Sequence, residues 1–298
     1  MKHYKFTLAP NSKKFICPNC EKRTFVKYID NDTQNYLDEH FGRCDRESSC
    51  GYFRRPNAEM TSCFKMEKEM PLKASYHGLE LIEKTFKVNY ENSFIKFLQT
   101  IFAEKQVEEA VNKYLIGTSK RWAGATIFWQ IDNLERVHSG KILSYNATSG
   151  KRMKNSDGRA EIDWVHSILK KRKVIKEFNL IQCLFGLHLI NKVEKNILAL
   201  VESEKTAVIM SIFKPEYIWL ATGSKAGLKY EFLKIIKNYK IIAFPDKSEF
   251  NDWLSKAKKL NLMGFDITVN DWLETTNYEA GTDLADVYCS FKVENLSR

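Results

Sequence analysis

The chain has 298 residues, 44% of them hydrophobic, and a formal net charge of +10 at pH 7. That length suits two or three modest domains, and the composition excludes a bilayer-spanning chain: the most apolar long stretch, LIQCLFGLHLI at 180–190, is too short and carries Gln182 and His188. The opening MKHYKFTLAPNSKK has no apolar signal core, so a cytoplasmic protein without a membrane partner is expected, and its seven cysteines point to metal or packing before disulfides.

The first predicted element is a metal knuckle. Cys17-Pro-Asn-Cys20 places two thiolates on one turn, and Cys44 with Cys50 supplies a second pair; four such ligands suit tetrahedral Zn²⁺. Between the pairs RTFVKYID alternates like a strand, and Gly51 follows Cys50 as a knuckle glycine. This is the plan of a zinc ribbon over residues 1–62. The gap from Cys44 to Cys50 is wider than usual, which leaves His40 or Cys63 as substitute ligands. Cys63, Cys183 and Cys289 otherwise read as packing residues. Basic side chains interleaved with Phe15, Phe25, Tyr28, Tyr52 and Phe53 fit either base stacking on a single strand or the cover of a small core. A domain this small would draw much of its folding energy from the metal.

Residues 79–116 read as helices from their three- and four-residue apolar spacing. The period then changes: 124–132 and 135–152 read as a meander of short strands, and 155–173 returns to helix or irregular structure. The charge is concentrated here. Residues 141–193 carry 11 Lys+Arg against 4 Asp+Glu, which fits either a polyanion-facing surface or a solvated face. Lys141, Lys151, Arg152, Lys154 and Arg159 are the candidates for phosphate contact, with nucleic acid the expected polyanion. His138 and His166 read as hydrogen-bonded histidines, and the sequence carries no Walker-type loop.

From 195 the chain alternates strand and helix: NILALVE, EKTAVIMSIF, YIWLAT, LKYEFLKIIKN, KIIAFPD, SEFNDWLSKAKKLN and GFDITV. Such βα units predict a compact, mostly parallel sheet. Glu202 and Asp246 end two of the strands, and Asp283 and Asp286 lie three apart in GTDLADVY. Carboxylates meeting at the sheet's carboxyl edge suit Mg²⁺ and phosphoryl or nucleotidyl transfer. Lys225 and Lys229, in the next βα loop, would meet a phosphate. The bland alternative makes Glu204 and Ser248 helix-start residues and Asp283 a cap.

LALVESEKTA, WLATGSKAGLK, IIAFPD and GTDLADVY, in that order, resemble the Toprim domain of bacterial primases, topoisomerases and related nucleases. The cysteines resemble the zinc ribbon of bacterial and phage primases, and the middle segment resembles primase-like proteins of mobile genetic elements and phages. The resemblance implies a multidomain α/β chain: zinc ribbon 1–62, basic α+β primase-core-like domain 63–193, and Rossmann-like Toprim domain 194–298. It makes Glu202 the general acid/base or metal ligand and Asp246 the first acid of an Asp-x-Asp pair, whose second acid is replaced by Ser248. Asp283 and Asp286, or Glu249 one residue out of register, would compensate as ligands of Mg²⁺ or Mn²⁺. The implied activity is a DNA primase, a nucleotidyltransferase acting in DNA replication on single-stranded DNA and NTPs, with a separate replicative helicase as a candidate partner. The alternatives are a non-catalytic nucleic-acid-binding accessory protein with a degenerate Toprim domain, and a Toprim nuclease.

Overall fold

A computed structural model of the chain describes residues 4–46, 49–56, 73–86, 91–192 and 197–296. Cys63 and the boundaries expected near 62 and 193 fall outside the described residues. The chain divides into two units, Met1–Leu72 and Lys73–Arg298.

In the first unit, the alternation over RTFVKYID becomes β2 (Phe25–Asp30). It is flanked by β1 (Phe6–Leu8) and β3 (Gly42–Cys44), with β4 (Phe53–Arg54) beyond, in an antiparallel sheet of order β1-β2-β3-β4. Its apolar centre is small: Phe25 is fully buried between Cys17 and Cys44, with Phe15 and Tyr52 packed around them.

The second unit begins with the expected helices, α1 (Glu80–Phe86), α2 (Ser93–Ile101) and α3 (Glu104–Tyr114). Buried Asn92 starts α2 by accepting the Phe94 and Ile95 amides at 3.0 and 3.2 Å, which satisfies donors the first turn leaves open. An antiparallel sheet follows: β5 (Gly117–Ser119), β6 (Ala125–Ile131), β7 (Val137–Leu143) and β8 (Ile162–Trp164), in that order, and then α4 (Val165–Lys171). Strand β6 is buried along its whole length. Ile127, Trp129 and Ile131 face Ile82 and Val165, whereas Phe128 joins the larger core, as the two-residue period of a strand requires. The apolar run 180–190 is spent inside the unit. Phe185 bridges Ala221 and Leu187–Lys192 form a 3-10 helix, and no helix among the described residues is long and apolar enough to cross a membrane.

The βα alternation is present as expected: β9 (Ile197–Val201), α5 (Glu204–Phe213), β10 (Ile218–Ala221), α6 (Tyr230–Leu233), β11 (Lys240–Ala243), α7 (Phe250–Leu262), β12 (Asp266–Val269) and α8 (Leu284–Leu296). All three strand pairs are parallel, in the order β10-β9-β11-β12. The chain leaves β9 for one side and then crosses it to build the other. The crevice past the carboxyl ends of β9 and β11 is therefore a topological switch point, where open α/β sheets bind ligands.

Candidate functional site

The four knuckle cysteines gather their sulfurs within 4.8 Å of one another. Cys17 Sγ lies 3.7 Å from Cys50 Sγ, and Cys20 Sγ lies 3.9 Å from Cys44 Sγ. Four sulfurs at about 2.3 Å from one zinc ion stand about 3.8 Å apart, so the spacing fits that ion. The knuckle amides face the sulfurs. The Lys22 amide draws the Cys20 thiol down to about 6, the Asn19 side chain and Tyr52 amide lower Cys50, and burial raises Cys17 to about 11 against the Cys20 and Asn19 amides. Cys50 fills the fourth position. His40 stands outside the cluster, exposed beside Glu39 at 4.0 Å.

At the switch point, β9 delivers Glu202 and β11 delivers Asp246. The ladder carries on past the strands, with the Gly223 amide on the Glu202 carbonyl at 2.8 Å and the Phe244 amide on the Leu200 carbonyl at 2.8 Å. Both carboxylates are partly buried, and neither is in an ion pair among the described residues. Burial, then the Glu249 carboxylate, raises Glu202, against the Lys225 amide and the Lys225 and Lys141 ammoniums. Asp246 is pushed up to about 8 by burial first, then by Asp283, Glu202 and Asp286, with Lys205 opposing. Like charges held together in a poorly solvated crevice produce this effect.

The neighbouring acids are engaged. Glu204 opens α5 but is only 1% exposed, and both its oxygens accept from the Lys141 ammonium, at 3.0 and 3.2 Å. Lys141 also donates to the Gly223 carbonyl at 2.8 Å. The residue expected on a turn facing phosphate instead lies within β7, 9% exposed and neutralised internally, because the two sheets of this unit meet there. Asp283 caps α8, accepting the Asp286 amide at 2.9 Å while Asp286 accepts the Asp283 amide at 3.3 Å. Ser248, two residues past Asp246, has φ +77° and donates its amide to Glu274 at 2.8 Å. Glu249 pairs with Lys225 at 3.2 Å. Among the described residues no three of these carboxylates bring ligand oxygens within 4.8 Å of one another.

The remaining basic candidates are exposed. Lys151 and Arg152 line a cleft of about 800 Å³ opposite Lys205 and Asp286. Lys154 and Arg159 stand on the next turn, where Asn155 accepts the Arg159 amide at 2.9 Å. Lys229 lies over the Phe232 ring at 4.3 Å. His138 bonds Asp132 at 3.0 Å and His166 bonds Ser139 at 2.9 Å, both structural contacts, and Cys183 and Cys289 pack on the main core. The reading of the sequence missed the Lys141–Glu204 pair and any role for Lys205. The one local hint was a lysine inside the otherwise apolar GKIL of β7.

Fold and site together define a zinc-ribbon protein with a parallel α/β layer that carries acids at its switch point. Residues 4–64 match the family described as Zinc beta-ribbon finger. The chain belongs to the family described as Domain of unknown function (DUF6371), which it matches over residues 92–247, just over half its length. No curated protein matches the sequence. Among solved structures, the chain is similar to the E. coli primase catalytic core, with TM-score 0.45 and 14% identity over 72% of this chain and 76% of that one. It is also similar to the primase fragment of the bacteriophage T7 primase-helicase protein, with TM-score 0.42 and 11% identity over 95% and 97%. A third similar structure is a DnaG primase catalytic domain bound to ssDNA, with TM-score 0.43 and 13% identity over 72% and 78%.

Proposed function

We propose that the chain is a primase-like protein that binds single-stranded DNA and carries a Toprim-type site for nucleotidyl transfer. One observation supports the reading: Glu202 and Asp246 flank the switch-point crevice with no ion pair among the described residues, burial raises both, and the Glu202 carboxylate adds to the rise of Asp246. Such a pair is poised for a cation. Mg²⁺ or Mn²⁺ fits it, since these ions take one or two carboxylates and complete their shell with waters and substrate phosphates. Bound there, the ion would neutralise charge developing on a transferring phosphoryl group. The chain's own part is to hold both carboxylates on rigid strand ends and to present Lys151 and Arg152 to nucleotide or template phosphates. The ribbon's exposed lysines and arginines would make phosphate contacts of their own.

The test is primer synthesis by the whole chain on single-stranded DNA with NTPs and Mg²⁺. The wild type is expected to make short products, and Glu202→Gln or Asp246→Asn to lower the rate by 100-fold or more while leaving salt-sensitive DNA binding intact. A second reading, a non-catalytic DNA-binding accessory protein, is favoured by Ser248 at the missing acid. It predicts no product and DNA binding indifferent to Mg²⁺, whereas nicked or shortened DNA would mark a nuclease.

A further inference from the structure

Lys205 is the second residue of α5, and its side chain is 15% exposed. Its ammonium reaches Asp286 Oδ1 at 3.0 Å and Asp283 Oδ2 at 3.7 Å. The four carboxylate oxygens of these two acids are all in use. Asp283 Oδ1 accepts the Asp286 amide at 2.9 Å, and Asp283 Oδ2 accepts the Thr206 hydroxyl at 2.7 Å and faces Lys205. Asp286 Oδ1 accepts from Lys205 at 3.0 Å, and its Oδ2 accepts the Asp283 amide at 3.3 Å. A divalent ion would have to displace the ammonium and break the helix cap to bind here. Glu202 and Asp246 are in the opposite state, with no ion pair among the described residues. The position that could have drawn in another ion, at the end of β11, is Ser248, which offers its amide to Glu274 rather than a carboxylate to a metal.

We propose that Lys205 is a resident cation that takes Asp283 and Asp286 out of metal ligation, so that the carboxyl edge binds one divalent ion, on Glu202 and Asp246, and no second one. Lys205 is thus a positioning residue, and this inference rests on the functional reading above in taking Glu202 and Asp246 as the ligands. An ammonium fixed by two carboxylates supplies a charge of one in place of two, and it leaves with the fold rather than with the buffer. Removing it uncovers two adjacent carboxylates beside Asp246, which is the charge arrangement a hard divalent ion seeks.

The experiment is Mn²⁺ titration of the zinc-loaded whole chain, counting bound ion by the loss of the free Mn²⁺ electron-paramagnetic-resonance signal. The wild type and Lys205→Arg are expected to bind one Mn²⁺. Lys205→Met, which keeps the stem and removes the charge, is expected to bind a second, and Lys205→Met with Asp286→Asn returns to one. Lys205→Gln serves in the same role if circular dichroism shows that the methionine variant has not folded. Two ions on the wild type, or no gain in either folded neutral variant, would overturn the proposal. If the wild type binds none, the metal reading of Glu202 and Asp246 fails, and the role of Lys205 is still decided by whether its neutral variants create an Asp286-dependent site.

Discussion

In the ribbon, four sulfurs converge to within 4.8 Å around a centre whose buried apolar members are Cys17, Phe25 and Cys44. At the switch point the carboxylates sit unpaired, among the described residues, past the ends of a parallel sheet, backed by a core that runs from Phe94 to Ala285. The contrast separates two ways of holding ligand atoms. A unit with little apolar area to bury needs its ion to fold, so its ligands are close and complete. A unit with a large core can tolerate unpaired acids in a crevice, because hydrophobic burial elsewhere outweighs their repulsion.

The largest test of that contrast is to remove the zinc. Chelation, or Cys44→Ser, should unfold Met1–Leu72 while Lys73–Arg298 keeps its structure, because the ion supplies on the order of 10 kcal/mol to a ribbon. Limited proteolysis with mass mapping would show it; a ribbon still protected without metal would erase the distinction. Next comes Lys141→Met. It strands the Glu204 carboxylate, which is 1% exposed, and should cost the second unit about 3–5 kcal/mol in denaturant unfolding. Adding Glu204→Leu should recover much of that loss, which would show that the pair is a structural bolt and not part of the chemistry.

The smallest effect is at Asp246. Its carboxyl holds a proton to about pH 8 when folded, against an ordinary value of 3.8. The folded state therefore binds the extra proton between those values, and metal-free stability falls as pH rises from about 4 to about 8. Asp246→Asn should remove that slope and stabilise the metal-free chain at pH 8. Thermal melts across the pH range read it directly, and Mg²⁺ should stabilise the wild type but not the variant. A flat wild-type profile would mean that the crevice is better solvated than its geometry indicates.

Much of the fold was legible because its signals are local. The ribbon's cysteines lie on two short turns, and the periods of NILALVE, EKTAVIMSIF and KIIAFPD reappear as β9, α5 and β11. Strand β5 escaped notice because three residues, Gly117–Ser119, give no period to read. The candidate site was legible to the extent that strand ends can be read: Glu202 and Asp246 were placed at one edge from the apolar runs before them. Their neighbours were not, because Lys141 finds Glu204 across 63 positions and Lys205 finds Asp286 across 81.

The amino-acid order alone determined that Cys17 and Cys20 share a knuckle, where strands give way to helices, and which acids follow a strand, since each depends on residues within a turn or two of chain. Only the folded arrangement decided which charges are spent and which are left for a ligand. That depends on the strand order β10-β9-β11-β12 and on an antiparallel sheet bringing Lys141 against α5. A carboxylate's partner is set by distance and burial in space, and neither is written in the spacing of the sequence.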